Sequence, residues 1–133
     1  MIIFIDIDGV IKDPKNHDNW YSDSIGLINK LCADTDAKLV IASNWKLLKP
    51  LSFFNKIFNG NVVGVTPDIN QGGDYHKEPE VLSYVRQHNV EAWIAIDDKD
   101  YEYPKTQKRL VLTSEGKFTE TEYQQCINLL CVS

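Results

Sequence analysis

The stretch that decides the fold is IIFIDIDGV, residues 2–10, in which an apolar run ends in two carboxylates and a glycine. Strands this apolar are usually buried on both faces, as in the centre of a parallel sheet. Residues two apart on a strand project to the same side, so Asp6 and Asp8 can converge on one point. Because burying uncompensated carboxylates is costly, we expect them at the carboxyl end of the strand, where open α/β sheets bind ligands. Two acids there indicate a divalent cation, phosphate chemistry, or both.

Short apolar runs of the same type recur along the chain and alternate with helical patterns. The further predicted strands are Lys38–Ser43, Val62–Thr66, Ala92–Asp97 and Leu110–Thr113. Strands that alternate with helices imply parallel pairing through right-handed crossovers. The predicted fold class is therefore α/β, a three-layer α/β/α sandwich around a mostly parallel, Rossmann-like sheet of about five strands.

The helical patterns carry their own start and stop signals. Ser22 or Asp23 could cap the first helix, and Pro50 should break or restart the second. Pro79 suits the first turn of the third helix. Residues 119–122, with sequence TETE, resemble a capping box at the start of the fourth.

Length and composition limit the class of protein. A chain of 133 residues is long enough for one domain, spanning residues 1–133. The net charge of −5 argues against a broad phosphate-binding surface but leaves room for a local contact with a nucleic-acid end. The three cysteines have no framework spacing and indicate buried free thiols in a reducing compartment. The chain opens on a strand and has no apolar run near the ~18 residues of a membrane span, so a cytoplasmic location is expected.

Polar side chains stand where the predicted strands end and where the third helix begins. In chain order they are Asp6, Asp8, Ser43, Asn44, Lys77, Asp97 and Asp98. If these positions share one edge of the sheet, they combine the parts of a phosphoryl-transfer site. Mg²⁺ prefers hard oxygen ligands, and a carboxylate can act as a nucleophile. The Ser43 hydroxyl, the Asn44 amide and the Lys77 ammonium could stabilise charge on the transferred group.

In this order the motifs resemble those of the haloacid dehalogenase (HAD) superfamily of phosphatases. The first motif is similar to DIDGV at residues 6–10, the second to Ser43 and the third to Lys77. The fourth is similar to the paired acids Asp97-Asp98. The fuller pattern has IASNW after the second strand, a Thr66-Pro67 step and IDD after the fourth strand. It resembles compact HAD domains associated with RNA-repair proteins.

The resemblance implies a role for each matching residue. Asp6 would attack phosphorus and also ligate Mg²⁺. Asp8 would protonate the leaving oxygen and then deprotonate the hydrolytic water, while its backbone carbonyl completes the metal shell. Ser43 would hold a phosphoryl oxygen, and Lys77 would neutralise the nucleophile and the phosphate. Asp97 would bind the metal directly, and Asp98 would bind it directly or through water. The predicted substrate-binding residues are Gly9 and Asn44.

Short loops leave no room for the cap domain that many HAD enzymes carry over the site. Only 12 residues separate Gly9 from Ser22, and 10 separate Thr66 from Lys77. The site should therefore be open, so water must be excluded by short loops or by the substrate itself. In the family, capless members often act on large substrates, including nucleic-acid ends and phosphoproteins. The pair Trp20-Tyr21 in the first loop could stack a base or pack over the adjacent helix.

The leading hypothesis is a Mg²⁺-dependent phosphatase that forms an aspartyl-phosphate on the way to hydrolysing a phosphomonoester, such as a nucleotide or a nucleic-acid end. One alternative is a phosphoacceptor domain similar to bacterial receivers, but there the paired acids come first in the chain. Another is a phosphate-binding module without turnover, although every expected side-chain type, Asp8 included, is present. Lys46 and Lys99 also stand beside predicted strand ends, so the lysine of the third motif stays open.

Overall fold

The computed structural model describes residues 1–69 and 76–130, and these form a parallel sheet with helices on both faces. The strands are β1 (Ile2–Ile5), β2 (Lys38–Ile41), β3 (Val62–Val65), β4 (Trp93–Asp97) and β5 (Leu110–Leu112). The helices are α1 (Ser22–Thr35), α2 (Leu51–Ile57), α3 (Lys77–His88) and α4 (Glu120–Leu130). This three-layer α/β/α architecture confirms the predicted fold class, and every strand pair in the sheet is parallel.

The apolar strand β1 lies at the centre of the sheet, whose strand order is β3-β2-β1-β4-β5. Phe4 lies opposite Val40 of β2 and Ala95 of β4. From β1 the chain builds the sheet first toward β3 and then, after α3, toward β5. The order therefore reverses between β1 and β4, which is the point where open α/β sheets bind ligands.

Alternation along β1 divides its side chains between two apolar cores. Ile3 and Ile5 are fully buried on the face covered by α1, α2 and α4. Phe4 points to the other face, where it packs edge-on against Tyr84 of α3 and against Trp93. Burial on both faces is why this segment is apolar at every position.

Local signals set several of the helix boundaries. Pro50 ends the irregular segment after β2, which contains a 3₁₀ turn at Asn44–Leu47, and α2 begins at the next residue. At α4, the Glu122 carboxylate accepts the backbone N–H of Thr119 at 2.8 Å, as the capping box predicts. These boundaries follow from proline geometry and from orphan donors at the helix start.

The predicted cap of α1 is wrong. Ser22 and Asp23 lie inside the helix, Tyr21 is the N-cap residue, and its side chain makes no capping hydrogen bond to the described residues. The helix start is held by tertiary contacts instead. The Ser24 hydroxyl donates to the Phe118 carbonyl at 2.6 Å, and the Tyr21 N–H donates to the Ile11 carbonyl at 2.7 Å.

Two cysteines lie in the core. Cys32 and Cys126 are buried with free thiols, as predicted, whereas Cys131 lies outside the described residues. Burial raises the pKa of Cys32 to about 11, which makes this thiol a poor nucleophile. Across residues 1–69 and 76–130, the helices are too short or too polar to cross a membrane. No cap domain occurs in these residues, and the predicted loop at 67–76 lies largely outside them.

Candidate active site

The two strands that meet at the switch point bring the predicted acids together. Asp6 directly follows β1, and its N–H continues the ladder by donating to the Ile96 carbonyl of β4 at 3.0 Å. Asp97 is the last residue of β4, and Asp98 follows it. One carboxylate oxygen each of Asp6, Asp97 and Asp98 lies within 4.8 Å of the other two. The fold thus gathers three of the predicted acids, from opposite parts of the sequence, at one edge of the sheet.

Lys77 joins this group from the first residue of α3. Its Nζ lies 2.9 Å from Asp6 Oδ2 and donates to Asp97 Oδ2 at 2.7 Å, with a side chain that is 14% exposed. The other two lysines considered for the third motif make no ion pair with these acids, although the Lys99 backbone N–H donates to Asp97 Oδ1 at 3.0 Å. Lys46 pairs with Glu80 at 2.8 Å in a buried contact, and Lys99 is exposed. Lys77 is therefore the ammonium that the fold brings to the acids.

Burial dominates the electrostatics of the acid cluster. It raises the pKa of Asp6 to about 6 and the pKa of Asp97 to about 6, although Lys77 opposes the shift in both cases. Burial also acts against the Lys77 ammonium, but the two carboxylates outweigh it and raise the pKa of Lys77 above its ordinary value. Two carboxylates that share one ammonium in a buried corner carry excess negative charge, which favours a further cation.

The donor set and its surroundings fit a hard divalent cation. Asp98 Oδ1 is buried and accepts no hydrogen bond from the described residues. A buried carboxylate oxygen without a hydrogen-bond partner lowers the stability of the fold unless a ligand binds to it. The three acids offer carboxylate oxygens alone, the ligand type that Mg²⁺ prefers. These residues therefore fit Mg²⁺.

Gly9 makes the close approach of Asp98 possible. Its φ is +78°, in the left-handed region that favours glycine, and a Cβ at this position would overlap the Asp98 carboxylate. The Thr113 hydroxyl fixes the same turn by donating to the Gly9 carbonyl at 2.7 Å. The glycine of the first motif thus shapes the acid cluster. It is buried and is not among the residues that line the candidate site, so its predicted contact with substrate stays a prediction.

Asp8 lies apart from this cluster and has partners of its own. Its Oδ1 accepts a hydrogen bond from Lys12 Nζ at 3.0 Å, and its Oδ2 accepts one from the Trp45 indole at 3.2 Å. Lys12 is 1% exposed and Asp8 is half-buried. The two acids of the first motif therefore stand in different surroundings, which suits different chemical roles.

Ser43 caps the 3₁₀ turn and also lines the candidate site. Its Oγ accepts the Trp45 N–H at 3.2 Å, which makes it the N-cap of the 3₁₀ turn. An oxygen that accepts this bond still has its own hydrogen to donate. Asn44 begins the turn and is exposed beside it. Ser43 can therefore cap the turn and still donate a hydrogen bond to a phosphoryl oxygen.

A cleft of about 550 Å³ connects these groups. Its polar floor is Asp6, Asp8, Ser43, Asn44, Lys77 and Asp98. Its rim consists of Pro14, His17, Trp45, Leu48, His76, Lys99, Tyr101 and Glu102. Asp97 is fully buried and is not among these lining residues. A cavity of similar size, about 580 Å³, lies against β5 and α4, but no acidic side chain lines its described part.

Several residues in or beside the cleft have roles that the sequence does not predict. Lys12 reads as a loop lysine, and most lysines are solvated. Glu102 is buried and borders the cleft, although its position in a polar run suggests a surface loop. The Trp20 ring centroid lies 5.4 Å from that of Trp45 and 6.1 Å from that of Phe53. Trp20 therefore has the packing role that was the alternative to base stacking.

Fold, acid cluster and cleft define a HAD-type α/β domain. The family model for the HAD domain in Swiss Army Knife RNA repair proteins matches residues 2–122, and the chain belongs to this family. Membership supports a phosphatase-type function, that is, hydrolase activity in general. Neither a curated protein nor a solved structure matches the chain.

Proposed function

We propose that this protein is a Mg²⁺-dependent phosphatase that hydrolyses a phosphomonoester through an aspartyl-phosphate at Asp6. The observation that carries the proposal is the convergence of Asp6, Asp97 and Asp98 within 4.8 Å, with Lys77 between the first two. A phosphoryl group carries charge on several oxygens, and its transfer is catalysed mainly by positioning and by electrostatic stabilisation. The cluster supplies a nucleophile, metal ligands and a cation at one point.

In the first half-reaction a carboxylate oxygen of Asp6 attacks phosphorus. The bond between phosphorus and the leaving oxygen breaks, its electron pair stays on that oxygen, and the Asp8 carboxyl gives it a proton. Lys77 and the Ser43 hydroxyl face the cleft and stabilise charge on the transferred group, together with the Asn44 amide. Asp6 now carries the phosphoryl group.

In the second half-reaction Asp8, now a carboxylate, takes a proton from water. The resulting nucleophile attacks phosphorus of the acyl phosphate, and the bond to the Asp6 oxygen breaks. Phosphate leaves and the Asp6 carboxylate is regenerated. The same residue thus acts as acid and then as base, as microscopic reversibility requires when one group serves both steps.

Mg²⁺ would be held by Asp6, Asp97 and Asp98 together with the backbone carbonyl of Asp8. Bound there, the ion neutralises charge on the phosphate oxygens. Burial raises the pKa of Asp6 and of Asp97 to about 6, and a bound cation would favour the ionised form of both carboxyls. Lys77 pairs with two of the carboxylates that would hold the ion, Asp6 and Asp97.

The substrate we propose is a nucleotide or a phosphorylated nucleic-acid end. The cleft is bordered by exposed ring-bearing side chains, His17 and Tyr101, which can stack on a base. No cap encloses it in the described residues, so a polymer end can enter. The family's association with RNA repair favours the same class. A cytoplasmic location belongs with this proposal, since nucleotides and RNA ends occur there.

The test is phosphate release from an aryl phosphate, a panel of nucleotides, and oligonucleotides with a 3′- or 5′-phosphate. Each is assayed with Mg²⁺, with EDTA, and with Asp6→Asn, while Asp23→Asn on the exposed start of α1 serves as the matched control. We expect release that requires both the metal and Asp6, with a phosphorylated oligonucleotide or nucleotide as the best substrate. Release by Asp6→Asn at the wild-type rate would overturn the nucleophile assignment. Release that is unaffected by EDTA would overturn the metal requirement.

A further inference from the structure

Asp8 is held at both of its carboxylate oxygens, by donors from two separate elements. Lys12 reaches Oδ1 from the first loop, at 3.0 Å, and the Trp45 indole reaches Oδ2 from the 3₁₀ turn, at 3.2 Å. Two donors at opposite oxygens fix the direction of a carboxylate as well as its position. Neither Lys12 nor Trp45 is one of the motif residues Asp6, Asp8, Ser43, Lys77, Asp97 and Asp98, so their contacts with Asp8 need a separate explanation.

Lys12 is itself built into the protein. Its ammonium also donates to the Asp13 carbonyl at 2.8 Å, and its own carbonyl accepts the Gly9 N–H at 2.8 Å. Burying a lysine at 1% exposure is costly unless its charge is paired. Its aliphatic stem lies inside the first loop, and its ammonium pairs with the Asp8 carboxylate.

Aromatic contacts hold the Trp45 side chain in place. Its ring stacks on Phe53 with a centroid distance of 6.3 Å and an interplanar angle of 4°, and it meets Trp20 edge-on. The Lys12 ammonium lies 5.5 Å from the same ring. These contacts hold the indole with its N–H directed at Asp8.

We propose that Lys12 and Trp45 are positioning residues that aim the Asp8 carboxyl at the leaving oxygen. The inference rests on the proposed function, because it presupposes that Asp8 gives its proton to that oxygen while the bond to phosphorus breaks. The carboxylate formed in this step keeps both donors, which stabilise it until it takes a proton from water. A misdirected acid loses much of its effect, since proton transfer depends on hydrogen-bond reach and alignment.

The experiment measures kcat/KM for a series of phosphate esters with leaving groups of graded acidity. The series runs from dinitrophenyl phosphate, whose leaving group needs no proton, through phenyl phosphate to a nucleoside 5′-phosphate. kcat/KM covers the steps up to transfer to Asp6, so it isolates the acid role of Asp8 from its later role as base. The variants are Lys12→Met, which keeps the buried stem, and Trp45→Phe, which keeps the ring.

Asp8→Asn gives the full effect of losing the acid, and Trp20→Phe is the matched control because Trp20 packs against Trp45. We expect Lys12→Met and Trp45→Phe to lower kcat/KM about tenfold or more for the nucleoside phosphate, part of the ~100-fold or larger effect typical of general acids. For dinitrophenyl phosphate the loss should stay within about threefold, since no acid is needed. Trp20→Phe should keep the wild-type dependence on the leaving group.

Equal losses across the series in both variants would overturn the inference and reduce Lys12 and Trp45 to structural supports. Wild-type values in both variants would overturn it as well. If Lys12→Met does not fold, Trp45→Phe decides. A wild-type protein without turnover, or an Asp8→Asn variant with an unchanged leaving-group dependence, would instead contradict the proposed function.

Discussion

Asp6 and Asp97 share one ammonium in a buried corner, and this arrangement has a measurable effect on stability. In the folded, metal-free protein the pKa of Asp6 is about 6, against an ordinary value of 3.8. The folded state therefore holds a proton between about pH 4 and 6 that the unfolded state has released. Ionising Asp6 in the native protein costs stability as pH rises through this window, and above it the full cost is present.

Replacing Asp6 with asparagine removes that cost. With EDTA present, the stability of Asp6→Asn relative to wild type should rise by on the order of 2 kcal/mol between pH 4 and pH 7, because a shift of one pKa unit corresponds to about 1.4 kcal/mol. Urea unfolding at several pH values measures the difference. A stability difference between Asp6→Asn and wild type that stays constant, or that shrinks as pH rises, would contradict the electrostatic description of the cluster.

Gly9 allows a second test at single-residue scale. Gly9→Ala should lower the free energy of unfolding by about 1–2 kcal/mol, because alanine is strained in the left-handed backbone region. The added Cβ should also displace Asp98, so Mg²⁺ binding should be lost. Gly60→Ala is a matched control, since Gly60 has a φ of +80° and no described atom within 4 Å of a built Cβ. Isothermal titration with Mg²⁺ compares the two variants. Equal Mg²⁺ affinities would refute the role assigned to Gly9.

At the scale of elements, a buried ion pair connects the 3₁₀ turn to α3. Lys46 donates to Glu80 at 2.8 Å and to the Thr66 hydroxyl at 2.9 Å, and the second Glu80 oxygen accepts the Ile69 N–H at 2.9 Å. The pair thereby holds the segment after β3 against α3, whose first residue is Lys77. Lys46 is part of the scaffold and Lys77 faces the cleft.

This difference predicts that the two lysines differ in their effect on activity, although both stabilise the fold. Lys46→Met should destabilise the fold by about 3 kcal/mol, because it strands a buried carboxylate, while much of the activity survives at low temperature. Lys77→Met should abolish most activity and should also destabilise the fold by about 3 kcal/mol or more, because it strands the buried Asp6 and Asp97 carboxylates. Lys99→Met, on the exposed surface, should change neither much. Urea midpoints and phosphate release, measured on the same preparations, test this. A larger loss of activity in Lys46→Met than in Lys77→Met would move the third motif.

At the scale of the whole molecule, the sheet order places the cluster at the point where the strand order reverses, between β1 and β4. Ligand binding to the folded state alone stabilises it in proportion to the logarithm of ligand concentration. Mg²⁺ should therefore raise the Tm of the wild-type protein, and the increase should disappear in Asp98→Asn. Differential scanning calorimetry with and without Mg²⁺ measures this without any need for turnover. An unchanged increase in Asp98→Asn would argue against the fit of this site to the ion.

The outline of fold and cluster could be predicted because both depend on local patterns. The apolar run of β1 requires a buried central strand, and parallel pairing then places Asp6 beside Asp97. Lys12 and Trp45 could not be predicted as partners of Asp8, since their contacts depend on how the first loop folds back. The cap of α1 was mispredicted for a related reason, because Ser24 is tied to Phe118, 94 residues away in the chain. Tertiary contacts of this kind leave no periodic signal.

The most direct test of the central claim is to trap the covalent intermediate. The protein is mixed with its best substrate and Mg²⁺, quenched in acid within one turnover, and digested for mass spectrometry. We expect one phosphoryl group on the peptide that contains Asp6, and none in Asp6→Asn. Rapid turnover with no phosphoryl group on that peptide, or with the label on another acid, would contradict the account.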